Sequence, residues 1–440
     1  MNTTDPQYQE TIDFLFRSLP AYHRVGAAAY KANLDNTHAM MQYLDHPEKA
    51  LRAIHVAGTN GKGSVSHFLA SILHRAGYKV GLYTSPHLVD FRERIRINGE
   101  MIPCQYVVDF VAQHRNFFVA QELSFFEMTV GLAYDYFRNE EVDIAVIEVG
   151  MGGRLDSTNV ITPILSIITN IGLDHTQFLG KTLSKIASEK AGIIKRNVPV
   201  VIGETQPETK PVFVSRSITM KAPITFADQH YRIEEHHDGY VRMMADVWLD
   251  NEPYLKGIHS PLDGLYQRKN LATVFSAVQE LNKMGLRITK KNCRDGIDHV
   301  IDDTGLHGRW EQLAKRPGII CETAHNAPGI QELCTKLKYM TYRRLHIVYG
   351  CVNDKDYMKI LEMLPSDAYY YFTRPSVQRG LDEQTLQQSA TVVHRKGQAY
   401  PDVFKALDAA RAAAHASDLI VVTGSIFLVA DLLAGWEKYC

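Results

Sequence analysis

The residues most able to do chemistry lie in one short run, Gly58-Thr59-Asn60-Gly61-Lys62-Gly63-Ser64. Consecutive backbone N–H groups at the start of a helix make an anion site, glycines let the backbone approach a ligand, and a lysine adds a point charge for phosphate. Ser64 is then placed to bind a magnesium ion carried by a nucleotide. The common P-loop pattern puts the hydroxyl directly after the lysine. Here Gly63 intervenes, so the strict pattern fails, and a plain tight turn stays open as the alternative.

The flanking sequence supplies what such a loop needs. Ile54-His55-Val56-Ala57 predicts a short strand before it, and Val65, Phe68, Leu69, Ile72, Leu73 and Ala76 recur at helical spacing after it, up to Gly77. Three more predicted strands end on polar groups. Lys79 to Tyr83 stops at Thr84-Ser85-Pro86-His87, and Asp143 to Val149 carries Glu148 before Gly150-Met151-Gly152-Gly153-Arg154-Leu155-Asp156. Ile164 to Asn170 leads into Ile171-Gly172-Leu173-Asp174-His175. In an open parallel sheet, ligands gather at the carboxyl ends of the strands. Lys62, Ser64, Ser85, Glu148 and His175 are therefore predicted to share one edge. A glutamate closing a buried strand needs a positive partner, which is magnesium in a nucleotide site and Arg154 in a purely structural one. Arg92, Arg94 and Arg96 alternate with Phe91, Ile95 and Ile97, which predicts a strand with a solvated arginine face, carboxylate binding being the alternative.

At 440 residues the chain is too long for one ordinary core. Residues 7–50 read as helices around a turn from Pro20 to Ala27, where Tyr22, His23 and Arg24 are candidates for ligand contact. A small β insertion is expected around 205–260, then a helix from Gln267 to Met284. The character changes between Asp302 and Trp310, which predicts two α/β domains, 1–300 and 301–440. A formal net charge of −1 and a pI of about 7.0 give no field for nucleic acid or an anionic membrane. Cys104, Cys293, Cys321, Cys334, Cys351 and Cys440 lack metal or redox spacing and read as small core residues. Neither a signal peptide nor an apolar run long enough to span a bilayer is present, so a cytoplasmic protein is expected.

Taken together, these residues resemble the folylpolyglutamate synthase and dihydrofolate synthase family, a branch of the Mur ligases. The likeness is carried by His55 to Ser64, Tyr83 to Leu88, Phe91 to Gly99, Glu148 to Asn159, Asn170 to His175, Glu189 to Ile193, His307 to Glu311, and Gly424-Ser425. The family's loop also separates lysine from hydroxyl, which accounts for Gly63. The resemblance implies a P-loop, parallel-sheet ATPase domain, followed by a smaller Rossmann-like α/β domain. It implies ATP-driven joining of L-glutamate to dihydropteroate or to folates through an acyl phosphate, by a monomer with two Mg2+ ions. A synthase that only extends folates is the alternative within this chemistry, and a P-loop regulator or kinase is the alternative outside it.

Site residues follow from the same resemblance. Gly58, Thr59, Asn60, Gly61, Lys62, Gly63, Ser64, Asn270, Arg309 and Glu322 would contact ATP, and Ser64, Ser85, Glu148 and His175 would hold metal. Lys62, His175 and Lys190 are the catalytic candidates, with Lys190 matching a lysine that is carbamylated in relatives. Ser124, Phe125, Phe126, Glu127, Leu155, Asp156 and Ser157 would form the pterin pocket, while His325 and Ser425 would hold glutamate. The two domains are expected to close on the substrates around a hinge near residue 301. Two departures stand out: Glu322-Thr323-Ala324-His325-Asn326-Ala327 replaces Asp-Gly-Ala-His-Asn-Pro, and Asn33-Leu34-Asp35-Asn36 replaces Gly-Leu-Glu-Arg.

Overall fold

The computed structural model describes residues 3–18, 33–236, 243–353 and 356–439. It divides into two compact units, one running to Leu306 and the other from His307 onward together with the short stretch Leu262–Leu265. The division falls a few residues after the expected 301. The turn with Tyr22, His23 and Arg24 lies outside the described residues, as does Cys440.

The first unit is built on eight strands: β1 Ala53–Ala57, β2 Val80–Tyr83, β3 Ile95–Ile97, β4 Glu100–Met101, β5 Ile144–Glu148, β6 Leu165–Ile168, β7 Val200–Ile202 and β8 Ile224–Phe226. They lie in the order β4-β3-β2-β5-β1-β6-β7-β8. The pairs from β2 through β8 are parallel, and β3 and β4 add an antiparallel edge. β1 and β5 are buried at every position, which is why they read as mostly apolar, with His55 in β1 and Glu148 at the end of β5 as the exceptions. The helix Lys62–Arg75 follows β1 and buries Val65, Phe68, Leu69, Ile72 and Leu73 completely. Strands β2, β5, β1 and β6 are consecutive neighbours, so the loops that carry Ser85, Glu148, Lys62 and His175 leave the same side of the sheet.

Two expectations are corrected. Residues 210–226 are a helix, Lys210–Met220, and the parallel edge strand β8; the antiparallel insertion is the three-stranded sheet β9 Tyr231–His236, β10 Met243–Leu249 and β11 Glu252–Ser260. The arginine stretch is not a solvated face. Phe91–Arg94 forms a 3-10 turn, and Arg94 and Arg96 are buried at 5% and 7% exposure. Arg94 Nε donates to His87 Nδ1 at 2.8 Å, and Arg96 donates to the carbonyls of Gly99 and Gly305. Alternating polar residues signalled a half-exposed strand, but loop carbonyls and an imidazole accept these protons inside.

The second unit has six strands, β12 Glu311–Lys315, β13 Gly318–Glu322, β14 Leu345–Tyr349, β15 Tyr369–Phe372, β16 Gly397–Ala399 and β17 Leu419–Thr423, in the order β12-β13-β17-β14-β15-β16. All pairs are parallel except β12 with β13. Its amino-terminal edge is tied by Asp418, whose carboxylate accepts Arg343 Nε and Nη2 at 2.9 Å each and also lies 3.4 Å from His346 Nε2. The guanidinium, followed by the His415 N–H and His346, holds the Asp418 carboxyl well below the usual carboxylate range. A depressed carboxyl pKa stabilises the fold above the unfolded-state value and loses that contribution as the pH falls through the folded value. Asp418→Ala is expected to cost about 2 kcal/mol in urea denaturation. The gap between variant and parent should hold steady above about pH 4 and shrink below it.

Candidate active site

The glycine loop is held from below by the loop after β6. Thr59 N donates to the Asn170 carbonyl at 3.0 Å, Asn60 N to Asn170 Oδ1 at 2.9 Å, and Thr169 Oγ1 to the Asn60 carbonyl at 2.6 Å. Thr59 Oγ1 bridges the Gly172 N–H and carbonyl. Two glycines are obligatory for separate reasons. A Cβ at Gly58 would overlap Thr169 Oγ1; Gly61 caps the helix with φ +81°, and a Cβ there would overlap Asn270 Oδ1. Asn270 thus lies against the loop, and its Nδ2 donates to Gln267 Oε1 at 2.8 Å. Gln267 Nε2 in turn approaches Ser64 Oγ at 3.4 Å.

Two lysines converge on this loop. Lys62 Nζ folds back to the carbonyls of Gly58 at 3.2 Å and Thr59 at 3.3 Å, and Lys190 Nζ reaches the Gly58 carbonyl at 2.7 Å. Lys190 ends the helix Leu183–Lys190 and is 4% exposed, so it is no helix-surface lysine. Burial, reinforced by the nearby Lys62 charge, lowers its pKa to about 7. Near neutrality a large fraction of Lys190 is a free amine.

At the end of β5, Glu148 is buried and its Oε2 accepts the Ser85 N–H at 3.0 Å. Arg154, the structural alternative as its partner, pairs with Glu189 at 2.9 Å. His175, with φ +48°, starts the short helix Thr176–Leu179; its N–H meets Asp174 Oδ1 at 2.8 Å. Among the described residues no three His, Cys, Asp or Glu side chains form a metal cage. A carboxylate beside a serine, at the mouth of a phosphate loop, nonetheless fits Mg2+, which keeps several waters and is completed by substrate phosphates.

The expected pterin residues separate into two groups. Ser124 and Glu127 form a capping box on the helix Phe125–Asn139, with Ser124 N donating to Glu127 Oε2 at 2.6 Å and Glu127 N to Ser124 Oγ at 3.2 Å. Phe125 is buried, stacked on Phe16 with the Arg94 guanidinium over its ring. Phe126 is half-buried and flanks Gly150 from one side; a Cβ on Gly150 would overlap its ring and lie 3.1 Å from Asp156 Oδ2. Phe126 and Asp156 therefore meet over Gly150 and fill the space a side chain there would need. Asp156 Oδ2 accepts the Met151 N–H at 2.8 Å and Oδ1 accepts the Thr158 N–H at 3.0 Å. Burial raises the Asp156 pKa and these hydrogen bonds oppose the rise. Leu155 and Ser157 flank Asp156 at intermediate exposure, while Asn36 is committed to the carbonyls of Gln121 and Glu122.

In the second unit, Glu322 ends β13 and its Oε2 accepts the Trp310 N–H at 2.9 Å, next to Arg309. Arg309 Nη1 donates to Thr323 Oγ1 and lies 4.0 Å from Glu322 Oε1. His325 Nδ1 is 2.9 Å from the Thr323 carbonyl. Ser425 follows β17, the neighbour of β13, and its Oγ accepts the Phe427 N–H at 3.1 Å. His325 and Ser425 thus leave adjacent parallel strands.

Sequence reasoning passed over Thr169, Asn170 and Gln267. Gln267 had a signal, since it stands one helical turn before Asn270. Residues 56–278 match the Mur ligase middle domain and residues 308–426 match the Mur ligase, glutamate ligase domain. The chain is 32% identical over 421 residues to the dihydrofolate synthase/folylpolyglutamate synthase of Bacillus subtilis, covering 91% of this chain and 94% of that one. A Haloferax volcanii relative is longer: it is 31% identical over 98% of this chain, which spans 51% of its length. The structure of Escherichia coli FolC in complex with DHPP and ADP superposes with a TM-score of 0.84 at 28% identity, covering 100% of this chain and 99% of that one. The chain belongs to the Mur ligase family, in its folylpolyglutamate synthase and dihydrofolate synthase branch.

Proposed function

We propose that this chain is an ATP-dependent amide ligase that joins L-glutamate to dihydropteroate and adds further glutamates to folates. The observation that carries the reading is the pairing of a phosphate loop after β1 with the Phe126 ring and Asp156 carboxylate that meet over Gly150, after the adjacent strand β5. A carboxylate cannot acylate an amine directly, because oxide would have to leave. Its oxygen therefore attacks the γ-phosphorus of ATP, ADP departs, the glutamate amine attacks the acyl carbonyl, and inorganic phosphate leaves. The chain's own part is to place the reactants and to receive charge. Lys62, turned onto its own loop's carbonyls, would swing to the phosphates, while the Gly58–Ser64 N–H groups cradle them. Ser85, Glu148, His175 and Ser64 would hold Mg2+, which supplies further positive charge to the phosphates. Phe126 would stack on the pterin and Asp156 accept its N–H groups. Arg309 and Glu322 would serve ATP, and His325 and Ser425 the incoming glutamate.

Lys190 is assigned to carbamylation. The ammonium loses one proton to give the neutral amine, which forms an N–C bond to carbon dioxide and releases a second, so a buried cation becomes an anion. A pKa of about 7 makes that amine available at neutral pH. Lys190→Met is expected to lower kcat about 100-fold without lowering the thermal midpoint. The unmodified lysine costs stability in full below about pH 7, where the folded state must bury the charge, and the cost fades as the pH rises toward the free-lysine value. In carbon dioxide-free buffer the variant's gain in midpoint should be greatest below pH 7, and bicarbonate should stimulate the parent and leave the variant unchanged.

Phosphate release from Mg-ATP tests the function itself. Release is expected with dihydropteroate plus glutamate and with tetrahydrofolate plus glutamate, and little with either component alone. Response to the folate alone would select a synthase that only extends folates. Release indifferent to both acceptors and to glutamate would sink the ligase reading and favour a regulator or kinase.

A further inference from the structure

His55 sits fully buried in the middle of β1, between β5 and β6, where a parallel sheet ordinarily takes valine or isoleucine. Its Nε2 lies 2.8 Å from Thr158 Oγ1, and its Nδ1 is buried with no hydrogen-bond partner. Thr158 Oγ1 also donates to Asp156 Oδ1. A hydroxyl has one proton, and the acceptor-only carboxylate takes it. The contact with His55 therefore needs the histidine's own proton on Nε2, which leaves Nδ1 bare. Burial, with a smaller contribution from Lys195, lowers the His55 pKa to about 3, so the ring stays neutral with that single proton. The result is a one-way chain, His55 to Thr158 to Asp156, reaching from the strand beneath the phosphate loop to the carboxylate beside Gly150 and Phe126. An orphaned imidazole nitrogen costs stability that an aliphatic core residue would not, so packing alone does not account for His55.

We infer that His55 and Thr158 are positioning residues for acceptor recognition, fixing Oδ1 of Asp156 inward so that Oδ2, facing Gly150 and Phe126, meets the N–H donors of the acceptor heterocycle. The inference rests on the reading of Asp156 as an acceptor contact. The chain's geometry supports a division of labour within one carboxylate: Oδ1 takes the Thr158 hydroxyl and N–H, Oδ2 takes the Met151 N–H on the side of Gly150 and Phe126, and the Gly150 N–H also serves the group.

The test compares steady-state kinetics of the full chain with Thr158→Val, Thr158→Ser, His55→Leu and Asp156→Asn, using dihydropteroate as acceptor and thermal midpoints as a check on folding. Thr158→Val is expected to raise the acceptor KM about tenfold with the ATP KM unchanged, and Thr158→Ser to rescue it. His55→Leu should shift the acceptor KM in the same direction, providing a second reading of the chain if Thr158→Val folds poorly. A folded Thr158→Val or His55→Leu with the parent acceptor KM, or with acceptor and ATP KM raised equally, would overturn the inference. With Asp156→Asn impaired, that result overturns the inference alone. An Asp156→Asn variant with the parent acceptor KM would remove the reading of Asp156 and the inference with it.

Discussion

Two amino groups, those of Lys62 and Lys190, reach for one carbonyl oxygen, that of Gly58. Like charges so close, with one of them buried, are tolerable only if one is often neutral or if anions arrive to share the field. Much of the first unit serves that arrangement. Thr169 and Asn170 fix the loop so that its carbonyl faces the lysines, and a side chain at Gly58 would force it away. Asn270 and Gln267 close the other side and reach Ser64. Under the proposed function this is a preformed socket for phosphate, in which a ligand would replace backbone carbonyls as the partner of Lys62.

How much of this could be read from sequence depended on the range of the contact. The strand, loop and helix around Lys62 are local, and β1, β5 and the following helix obeyed their apolar periods. The sharing of one sheet edge by Ser85, Glu148, Lys62 and His175 followed from the rule for parallel sheets and matches the strand order. Arg94 and Arg96 misled because alternation reports polarity and is blind to the acceptors that a fold brings inside. The burial of Lys190 was also invisible, since Gly58, which it meets, lies 132 residues away. Ser124-Phe125-Phe126-Glu127 carries the spacing of a capping box, and that local role is where the two polar side chains are spent. Phe126 is the ring of that stretch left half-buried, beside Gly150.

In the second unit, the longer side chain at Glu322 finds a structural task. Its carboxylate receives the Trp310 N–H and lies at the edge of ion-pair distance from Arg309, so it steadies the segment that carries that arginine. The departure from aspartate is thereby absorbed within the unit. His325 and Ser425 follow the carboxyl ends of the adjacent parallel strands β13 and β17.

All of these roles presuppose that the acceptor's carboxylate is activated by phosphoryl transfer before the amine attacks. Dihydropteroate labelled with oxygen-18 in its carboxylate, turned over with Mg-ATP and glutamate, tests that step directly. An acyl phosphate delivers one labelled oxygen into each inorganic phosphate released, visible as an isotope-shifted phosphorus-31 resonance. Unlabelled phosphate, with one labelled oxygen kept in the amide and the other released to water, would contradict it.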